Sequence, residues 1–449
     1  MRIIIIGAGP GGYETAVVAA KKGAEVVIIS DGPVGGTCLN EGCIPTKSFC
    51  RNAEVLEDLA KGSVFGVEDL SYRFDFSKVI SRKEEVIGQL RKGVEGLMGG
   101  KGITLVYGKA SFKDQHTVVV DGTEYEGDYI IIATGSYSAS LPIPGADLPG
   151  VITSREILNI EAVPQRLCVI GAGVIGLEFA SIFKSFGSEV SVVEYCKDIL
   201  PRFDTDLAKR LKQSLSRRGI SIDTGAQVQS ITKEGDTLKV NYLKKDKEFS
   251  VEADKVLMAV GRRANVGSLN LADAGIEFTP RGIVVDSQMR TNVPHIYAVG
   301  DCVGGIMLAH VATFQGFKAL ASIFGEPCNI DLSIVPAAVF TNPEAATVGL
   351  TEDECKDKGM KIKCYKSFYR ANGKALSMDE PDGYCKIVVS EEEDSFGKIL
   401  GCHLFGAHSA DIVQEAAALM TKGTTLQELR EIIHAHPTLS EVFQNAAHS

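Results

Sequence analysis

Two copies of one glycine pattern limit what this chain can become. Gly7, Gly9 and Gly12 follow the apolar run Ile3–Ile6, and Gly171, Gly173 and Gly176 follow Leu167–Ile170, at an offset of 164 residues. Each pattern leads into a stretch of helical composition (Tyr13–Lys22; Leu177–Phe186) and then a second β-rich run (Val26–Ile29; Val190–Glu194). The order is strand, tight turn, helix, strand. Glycines of this spacing let a pyrophosphate reach the backbone at a helix N-terminus, where free N–H groups and the helix dipole favour negative charge. A lone G-x-G-x-x-G is weak evidence; inside a strand–helix–strand unit it is strong. Two units suggest two dinucleotides, with redox chemistry the natural reason for one chain to hold both; one functional site and one degenerate repeat is the alternative.

The acid that ends the second strand separates the copies. Glu194 is placed to accept hydrogen bonds from a ribose 2′-hydroxyl and to repel a 2′-phosphate, so NAD is expected over NADP. The same offset lands on Ser30 in the first copy, with Asp31 beside it. Either can meet a ribose there, and Asp31 is the favoured choice.

Between Gly36 and Lys47 lie two thiols, Cys38 and Cys43, in a short segment with glycines and a proline. A pair so spaced can close a small disulfide loop, and it transfers two electrons if one thiol is a thiolate and the other meets a partner. On spacing alone, two unrelated loop cysteines remain the alternative. The chain has 11 cysteines, an odd and scattered number that does not resemble an extracellular disulfide framework. A reducing cytoplasm is expected, where an oxidised pair would be catalytic. The others, Cys50, Cys168, Cys196, Cys302, Cys328, Cys355, Cys364, Cys385 and Cys402, read as structural, with Cys302 beside Asp301 the one to check.

At 449 residues the chain should hold about three domains. A net charge of −10 with no basic run argues against a nucleic-acid surface. No apolar run is long enough to span a bilayer, no charged leader precedes the first strand, and no metal site is expected. Residues 50–100 carry helical patterns; 103–132 alternate like short strands that end at Tyr129–Ile132 and Ala133-Thr134-Gly135. An amphipathic helix is expected over 205–218, and strands over 219–260 with turns at Glu234-Gly235-Asp236 and Lys244–Lys247. The strand Ile296–Val299 stops at Gly300-Asp301, and the C-terminal end of a strand is where open α/β sheets meet ligands. From about Ile334 an antiparallel sheet with helices at 409–421 and 425–433 suggests a further domain.

Five segments make the sequence resemble the flavoprotein disulfide reductases, class I of the pyridine nucleotide-disulfide oxidoreductases. They are Gly35–Lys47 (the redox segment), Thr291 through Tyr297–Asp301 (a flavin motif), Leu308-Ala309-His310, Val339–Glu344 and His434–Glu441. The resemblance implies an α/β fold: two Rossmann-like dinucleotide-binding domains and a C-terminal α+β interface (dimerisation) domain. Its divisions would be an FAD-binding domain at 1–145, an NAD-binding domain at 146–265, a central domain completing the FAD site at 266–335, and an interface domain at 336–449. Cys38 would be the thiol that meets substrate and Cys43 the thiol against the flavin; Lys47 would sit near flavin N5 with Glu178 as its ionic partner. His436, oriented by Glu441, would be the acid–base catalyst, reaching Cys38 from the other subunit of a homodimer; His434 would support it. For FAD the resemblance implies Gly7, Gly9, Gly12, Asp31, Gly36, Thr37, Lys47, Ala110, Thr134, Gly135, Asp301, Leu308, Ala309 and His310. For NAD it implies Gly171, Gly173, Ile175, Gly176, Glu178, Glu194, Val228 and Gly261.

The chemistry also stands apart from any family. A dithiol must lose a proton before its sulfur attacks a disulfide; histidine titrates near neutrality, and a carboxylate on its far nitrogen fixes the tautomer. Glu194 and the wording His434-Ala435-His436-Pro437-Thr438-Leu439 favour the branch that oxidises dihydrolipoyl groups with NAD⁺. That branch implies a lipoyl domain of a 2-oxo acid dehydrogenase or glycine cleavage complex as partner. The alternatives are glutathione reductase-like and mercuric reductase-like members. The first would want arginine at 194, and the second normally ends in a vicinal cysteine pair, unlike Ala446-Ala447-His448-Ser449. Two departures stand out: Ser30 for the flavin-ribose acid, and Gln315 where the family usually has glutamate.

Overall fold

A computed structural model describes all of residues 1–449. The first glycine unit forms as the pattern requires. The strand Arg2–Ile6 is buried on both faces along Ile3–Ile6, which is why it reads as an unbroken apolar run. It enters helix α1 (Pro10–Lys21) through a turn where Gly7 has φ +112°. A Cβ on Gly12 would lie 1.8 Å from the Gly7 oxygen, so the helix can cross the strand only where this residue is glycine. Gly9 caps α1 without a side chain, and Pro10 stands at the first position, where a missing N–H costs no helical bond.

Next comes a departure from the expected loop. The redox segment is helical: α2 (Gly36–Glu41) and α3 (Cys43–Ala60) meet at Gly42, whose φ of −142° and ψ of −107° break the helix. Helix α4 (Phe76–Met98), capped by Asp75, returns the chain to the strand Ile103–Tyr107. The first sheet is parallel, in the order Ile296–Ala298, Tyr129–Ile132, Arg2–Ile6, Glu25–Ser30, Ile103–Tyr107. A three-stranded meander (Ala110–Phe112, Thr117–Val120, Thr123–Glu126) precedes Tyr129–Ile132.

The second half repeats this plan. Helix α5 (Val174–Ser185) follows Arg166–Ile170, and α6 (Thr205–Arg217), capped by Asp204, follows Glu189–Glu194. The parallel sheet runs Ser221–Thr224, Glu189–Glu194, Arg166–Ile170, Lys255–Met258, Val151–Ile152, with a longer meander over Ala226–Glu234, Thr237–Lys244 and Lys247–Ala253. The duplication therefore extends past the glycine turns to the meander and the strand after it, while the fifth strand enters each sheet from a different point in the chain.

Helix α7 (Ala309–Phe324) packs on α1, where a Cβ on Gly316 would lie 1.9 Å from Thr15 Oγ1. The C-terminal region is a five-stranded antiparallel sheet: Ala337–Val339, Ala345–Gly349, Ile399–Phe405, Tyr384–Ser390, Ile362–Phe368. Around it stand α8 (Glu352–Asp357), α9 (Gly373–Ser377), α10 (Ser409–Thr421), α11 (Leu426–Arg430) and α12 (Glu441–Ala447). The helix expected over 425–433 is thus shorter, ending at Arg430. No helix is long and apolar enough to cross a membrane.

One packing choice positions the site. Helix α3 leaves the first half, yet its buried face, Phe49, Cys50 and Ala53, joins the core of the second half with Phe179, Phe183 and Phe186. Phe49 meets Phe186 edge-on at 5.9 Å between ring centroids. The redox helix is therefore held by the half that carries the second glycine turn.

Candidate active site

Cys43 is the first residue of α3, and Gly42 before it offers no capping side chain. A thiol at a helix N-terminus faces unpaired N–H groups that favour the thiolate. The Cys38 thiol, one short helix back, is the largest cause that draws Cys43 from its ordinary 9.0 down to about 7. Burial opposes that shift, and the Lys47 ammonium one turn along α3 adds to it. Cys43 in turn pushes Cys38 up, because the Cys38 proton is held against the Cys43 sulfur, with burial reinforcing the effect. The two thiols are inequivalent in the sense a dithiol site needs. Asn40 steadies α2 between them by donating to the Val34 and Gly36 carbonyls at 3.0 and 2.9 Å, while its own oxygen accepts from Arg91.

Lys47 reaches across to α5. Its Nζ lies 3.0 Å from both oxygens of Glu178 and 4.1 Å from the centre of the Phe340 ring. Burial pushes the ammonium down, but the Glu178 carboxylate more than offsets it, so Lys47 is held above its ordinary value. Glu178 also accepts from the Phe340 N–H at 3.0 Å. It is buried against α3, so within the second unit it serves Lys47 as ionic partner.

The first glycine turn presents bare backbone. A Cβ on Gly36 would lie 2.7 Å from the Gly9 Cα, so α2 and the start of α1 touch through glycines alone, the cradle a pyrophosphate needs. Thr37 follows in α2. Ser30 is buried and donates to the Gly32 carbonyl at 2.8 Å, while Asp31 is exposed, so of the two Asp31 has the free side chain. Thr134 and Gly135 lie at the crossover after Tyr129–Ile132, tied to Asn265 by Thr134 Oγ1 donating to its carbonyl at 2.7 Å. Asp301 follows the strand Ile296–Ala298 and accepts from Ser136 Oγ at 2.5 Å. Arg262 Nε donates to the same hydroxyl at 2.7 Å and lies 3.8 Å from Asp301. Leu308 and Ala309 open α7, and His310 Nε2 is 2.9 Å from the Pro336 carbonyl. Gln315, buried, accepts from the Gly300 N–H at 2.7 Å; an amide oxygen does this as well as a carboxylate. Ala110 is buried in a strand of the first meander.

In the second unit Gly173 caps α5 with nothing near it, and Gly171 and Gly176 repeat the close crossing, 2.0 Å from a Gly176 Cβ to the Gly171 oxygen. Ile175 lies in the first turn of α5, and Gly261 has φ +108°. Glu194 accepts from the Ala172 N–H at 2.5 Å and the Cys196 N–H at 2.6 Å. Each carboxylate oxygen keeps a second lone pair for a ribose hydroxyl. Val228 packs its side chain into the hydrophobic core under the meander, opposite Tyr242 of the next strand. Cys302 is fully buried, bonded to the Val299 carbonyl at 3.1 Å and pushed up to about 11 by burial. It is a structural thiol.

At the C-terminus a turn feeds α12, and its first residue Glu441 reaches back to His436. Nδ1 and Oε1 are 2.9 Å apart, and the other carboxylate oxygen accepts from the Thr438 N–H at 2.8 Å. Those two contacts, the backbone bond first, hold Glu441 below the usual carboxylate range. The carboxylate occupies Nδ1 and leaves Nε2 for proton transfer, with the His436 side chain 77% exposed. Within one chain His436 hydrogen-bonds to Glu441 and not to either thiol of the redox segment. His434 is turned the other way, with Nε2 2.7 Å from Glu415 of α10 and Nδ1 3.1 Å from the Ile432 carbonyl.

Sequence reasoning passed over Ser136, Arg262 and Phe340. Arg262 had a signal: like Asp301 it follows a glycine just beyond the end of a parallel strand, Lys255–Met258. Ser136 had the same one, following Gly135 beyond the strand Tyr129–Ile132, whereas Phe340 lay inside the segment Val339–Glu344 with nothing to mark its contacts to Lys47 and Glu178 across the fold.

Comparison with known proteins gives a concordant result. Residues 1–316 match the family model described as pyridine nucleotide-disulphide oxidoreductase, and residues 335–447 match its dimerisation domain. A dihydrolipoyl dehydrogenase of Bacillus subtilis (strain 168) is 38% identical over 453 residues, covering 99% of this chain and 98% of the relative. One from Chlamydia muridarum is 38% identical over 450 residues, covering 99% and 95%. Among solved structures, the HOCl-induced flavoprotein disulfide reductase RclA from Escherichia coli superposes with a TM-score of 0.88 at 30% identity, covering 100% of this chain and 99% of that one.

Proposed function

We infer the reaction from one premise: the chain belongs to the pyridine nucleotide-disulphide oxidoreductase family, whose enzymes use FAD and NAD(H). Within that family we propose that it is a dihydrolipoyl dehydrogenase, oxidising a dihydrolipoyl group to the cyclic disulfide with NAD⁺ as acceptor. The observation that carries this reading is the pair of inequivalent thiols at the α2–α3 junction, backed by Lys47 and Glu178 and matched by a distant His436–Glu441 pair. The bare glycine cradles at the starts of α1 and α5 fit two dinucleotides, and Glu194 supports NAD as the second.

On this reading the divisions at 145, 265 and 335 separate the FAD-binding, NAD-binding, central and interface regions. Two chains form a homodimer, and His436 of one serves the thiols of the other. His436 Nε2 takes a proton from a dihydrolipoyl thiol, with Glu441 stabilising the imidazolium. The resulting thiolate attacks Cys38 of the oxidised pair; the Cys38–Cys43 bond breaks and Cys43 leaves as thiolate, the state its surroundings favour. The second substrate thiol then attacks the substrate sulfur of the mixed disulfide, closing the cyclic lipoyl disulfide; Cys38 leaves and takes up the proton that thiol gives up. Lys47 stays beside Cys43 as counter-charge. FAD, when bound, carries the electron pair from the reduced thiols to NAD⁺. The partner is a lipoyl domain of a 2-oxo acid dehydrogenase or glycine cleavage complex, and 11 thiols in no extracellular pattern support a cytoplasmic setting.

Purified protein should turn over dihydrolipoamide with NAD⁺ and show little activity with glutathione disulfide and NADPH. Strong activity only in the second assay overturns the dihydrolipoyl reading. A Cys43→Ser variant with full lipoamide turnover would overturn the disulfide mechanism itself.

A further inference from the structure

Helices α3 and α5 lie side by side, and a strap from the C-terminal region, Phe340 to Asn342, runs along the groove between them. Its backbone is held by side chains at each end. The Phe340 N–H donates to Glu178 and its carbonyl accepts from Cys50 at 3.4 Å; the Asn342 N–H donates to Ser181 Oγ at 3.1 Å. Glu178, Ser181 and Ser185 share one face of α5, one at each turn. Lys47 pairs with the first of these, and the far end of α3 meets the last, where Ser185 donates to Glu57.

One side chain closes the assembly. Arg218, just past the end of α6, donates through Nη1 to the Asn342 carbonyl at 2.6 Å and to Ser181 Oγ at 2.8 Å. Through Nη2 it meets Ser185 Oγ at 3.0 Å and the Glu57 carboxylate. Its planar fork thus touches α3, α5 and the strap at once, a task lysine cannot perform. The second oxygen of Glu57 is buried with no partner, so this carboxylate depends on the contacts at the first. Glu178 is shared between the strap and Lys47, so a shift of the strap would pull on the counter-charge of Cys43.

We propose that Arg218 is a positioning residue for the Cys38–Cys43 pair, locking α3, α5 and the Phe340–Asn342 strap into one body that fixes Lys47 and Cys43 in place. This rests on the reading of those cysteines as the redox pair. The charged and titratable groups that bear on Cys43 are Cys38 from α2, Lys47 of α3, Glu178 of α5 and Arg262 after the strand Lys255–Met258.

The test uses flavin-loaded protein with the double variant Arg218→Met/Glu57→Gln, which leaves no buried carboxylate stranded. The single variant Ser181→Ala serves as a milder second probe. Lys366→Ala is the control; it removes a different contact between the C-terminal sheet and α6, to Asp206. The readouts are the pH profile of iodoacetamide alkylation at Cys43 in the reduced protein, and kcat against KM for NAD⁺. The double variant should raise the alkylation midpoint by about half a unit or more and lower kcat about tenfold with KM for NAD⁺ within about twofold. Ser181→Ala should move both in the same direction by less, and Lys366→Ala should move neither. If the double variant does not fold, Ser181→Ala decides. A wild-type profile and wild-type kcat in every folded variant overturn the role of Arg218. Failure of wild-type Cys38 and Cys43 to form a disulfide that dihydrolipoamide reduces overturns instead the redox-pair reading beneath it.

Discussion

A two-sulfur site works only if its sulfurs differ, and here the difference comes from single contacts. Cys43 is drawn from 9.0 to about 7 by the Cys38 thiol and Lys47, so its folded state prefers the thiolate. Alkylation of reduced protein should therefore rise through about pH 7 at Cys43 and much higher at Cys38, measured by mass spectrometry of labelled peptides. The same sign governs stability. The depressed thiol contributes fully above its ordinary value and loses that contribution as pH falls through about 7. Glu194→Gln should raise KM for NAD⁺ about tenfold and erode the preference over NADP⁺, because the amide cannot match a carboxylate as acceptor for the ribose. Unchanged selectivity in steady-state kinetics would place the ribose elsewhere. Gln315→Leu strands the buried Gly300 N–H and should cost about 1–3 kcal/mol in denaturant unfolding. Gln315→Glu keeps the acceptor and should leave that stability unchanged. The glutamine that departs from the family pattern thus keeps the same acceptor role.

At the scale of elements, the glycine units explain most of what was legible. A Cβ at Gly12 or Gly176 would fall within 1.8 or 2.0 Å of a backbone oxygen, so strand and helix can cross only through glycine. Gly176→Ala should therefore lose NAD⁺ binding by calorimetry while the first half keeps its flavin colour, and Gly12→Ala should lose the flavin. The redox segment was less legible. Glycines and a proline between Gly36 and Lys47 suggest a loop, yet the segment is two helices broken at Gly42. Pro45 stands in the first turn of α3, where its missing N–H has no helical partner to lose. The glycines serve close approach at Gly36 and the break at Gly42, so breaker residues here mark helix ends and contacts, not irregular chain.

At the scale of the molecule, the second half and the C-terminal sheet are joined by buried charge. Lys386, 1% exposed, lies 2.9 Å from Asp204, 3.3 Å from Asp206 and 2.5 Å from Glu352, with Asp204 also capping α6. Lys386→Met strands Asp204 and should cost about 3–5 kcal/mol, read as a lower denaturant midpoint. If two chains share each site, Cys43→Ser and His436→Gln homodimers should both be inactive, and a refolded equimolar mixture should recover about a quarter of wild-type turnover. No recovery would place the whole site in one chain. The sequence alone determined the two strand–turn–helix–strand units and the chemistry available at Cys38, Cys43 and His436, because backbone geometry and side-chain reactivity are local properties. The family resemblance named Glu178 as the partner of Lys47, but only the tertiary structure brought the two within 3.0 Å, packed α3 with the second half and took Arg218 to Glu57 and Asn342. Those partners lie 131, 161 and 124 residues apart. Only the packing of the fold brings them together, and at such separations it leaves no periodic trace in the sequence.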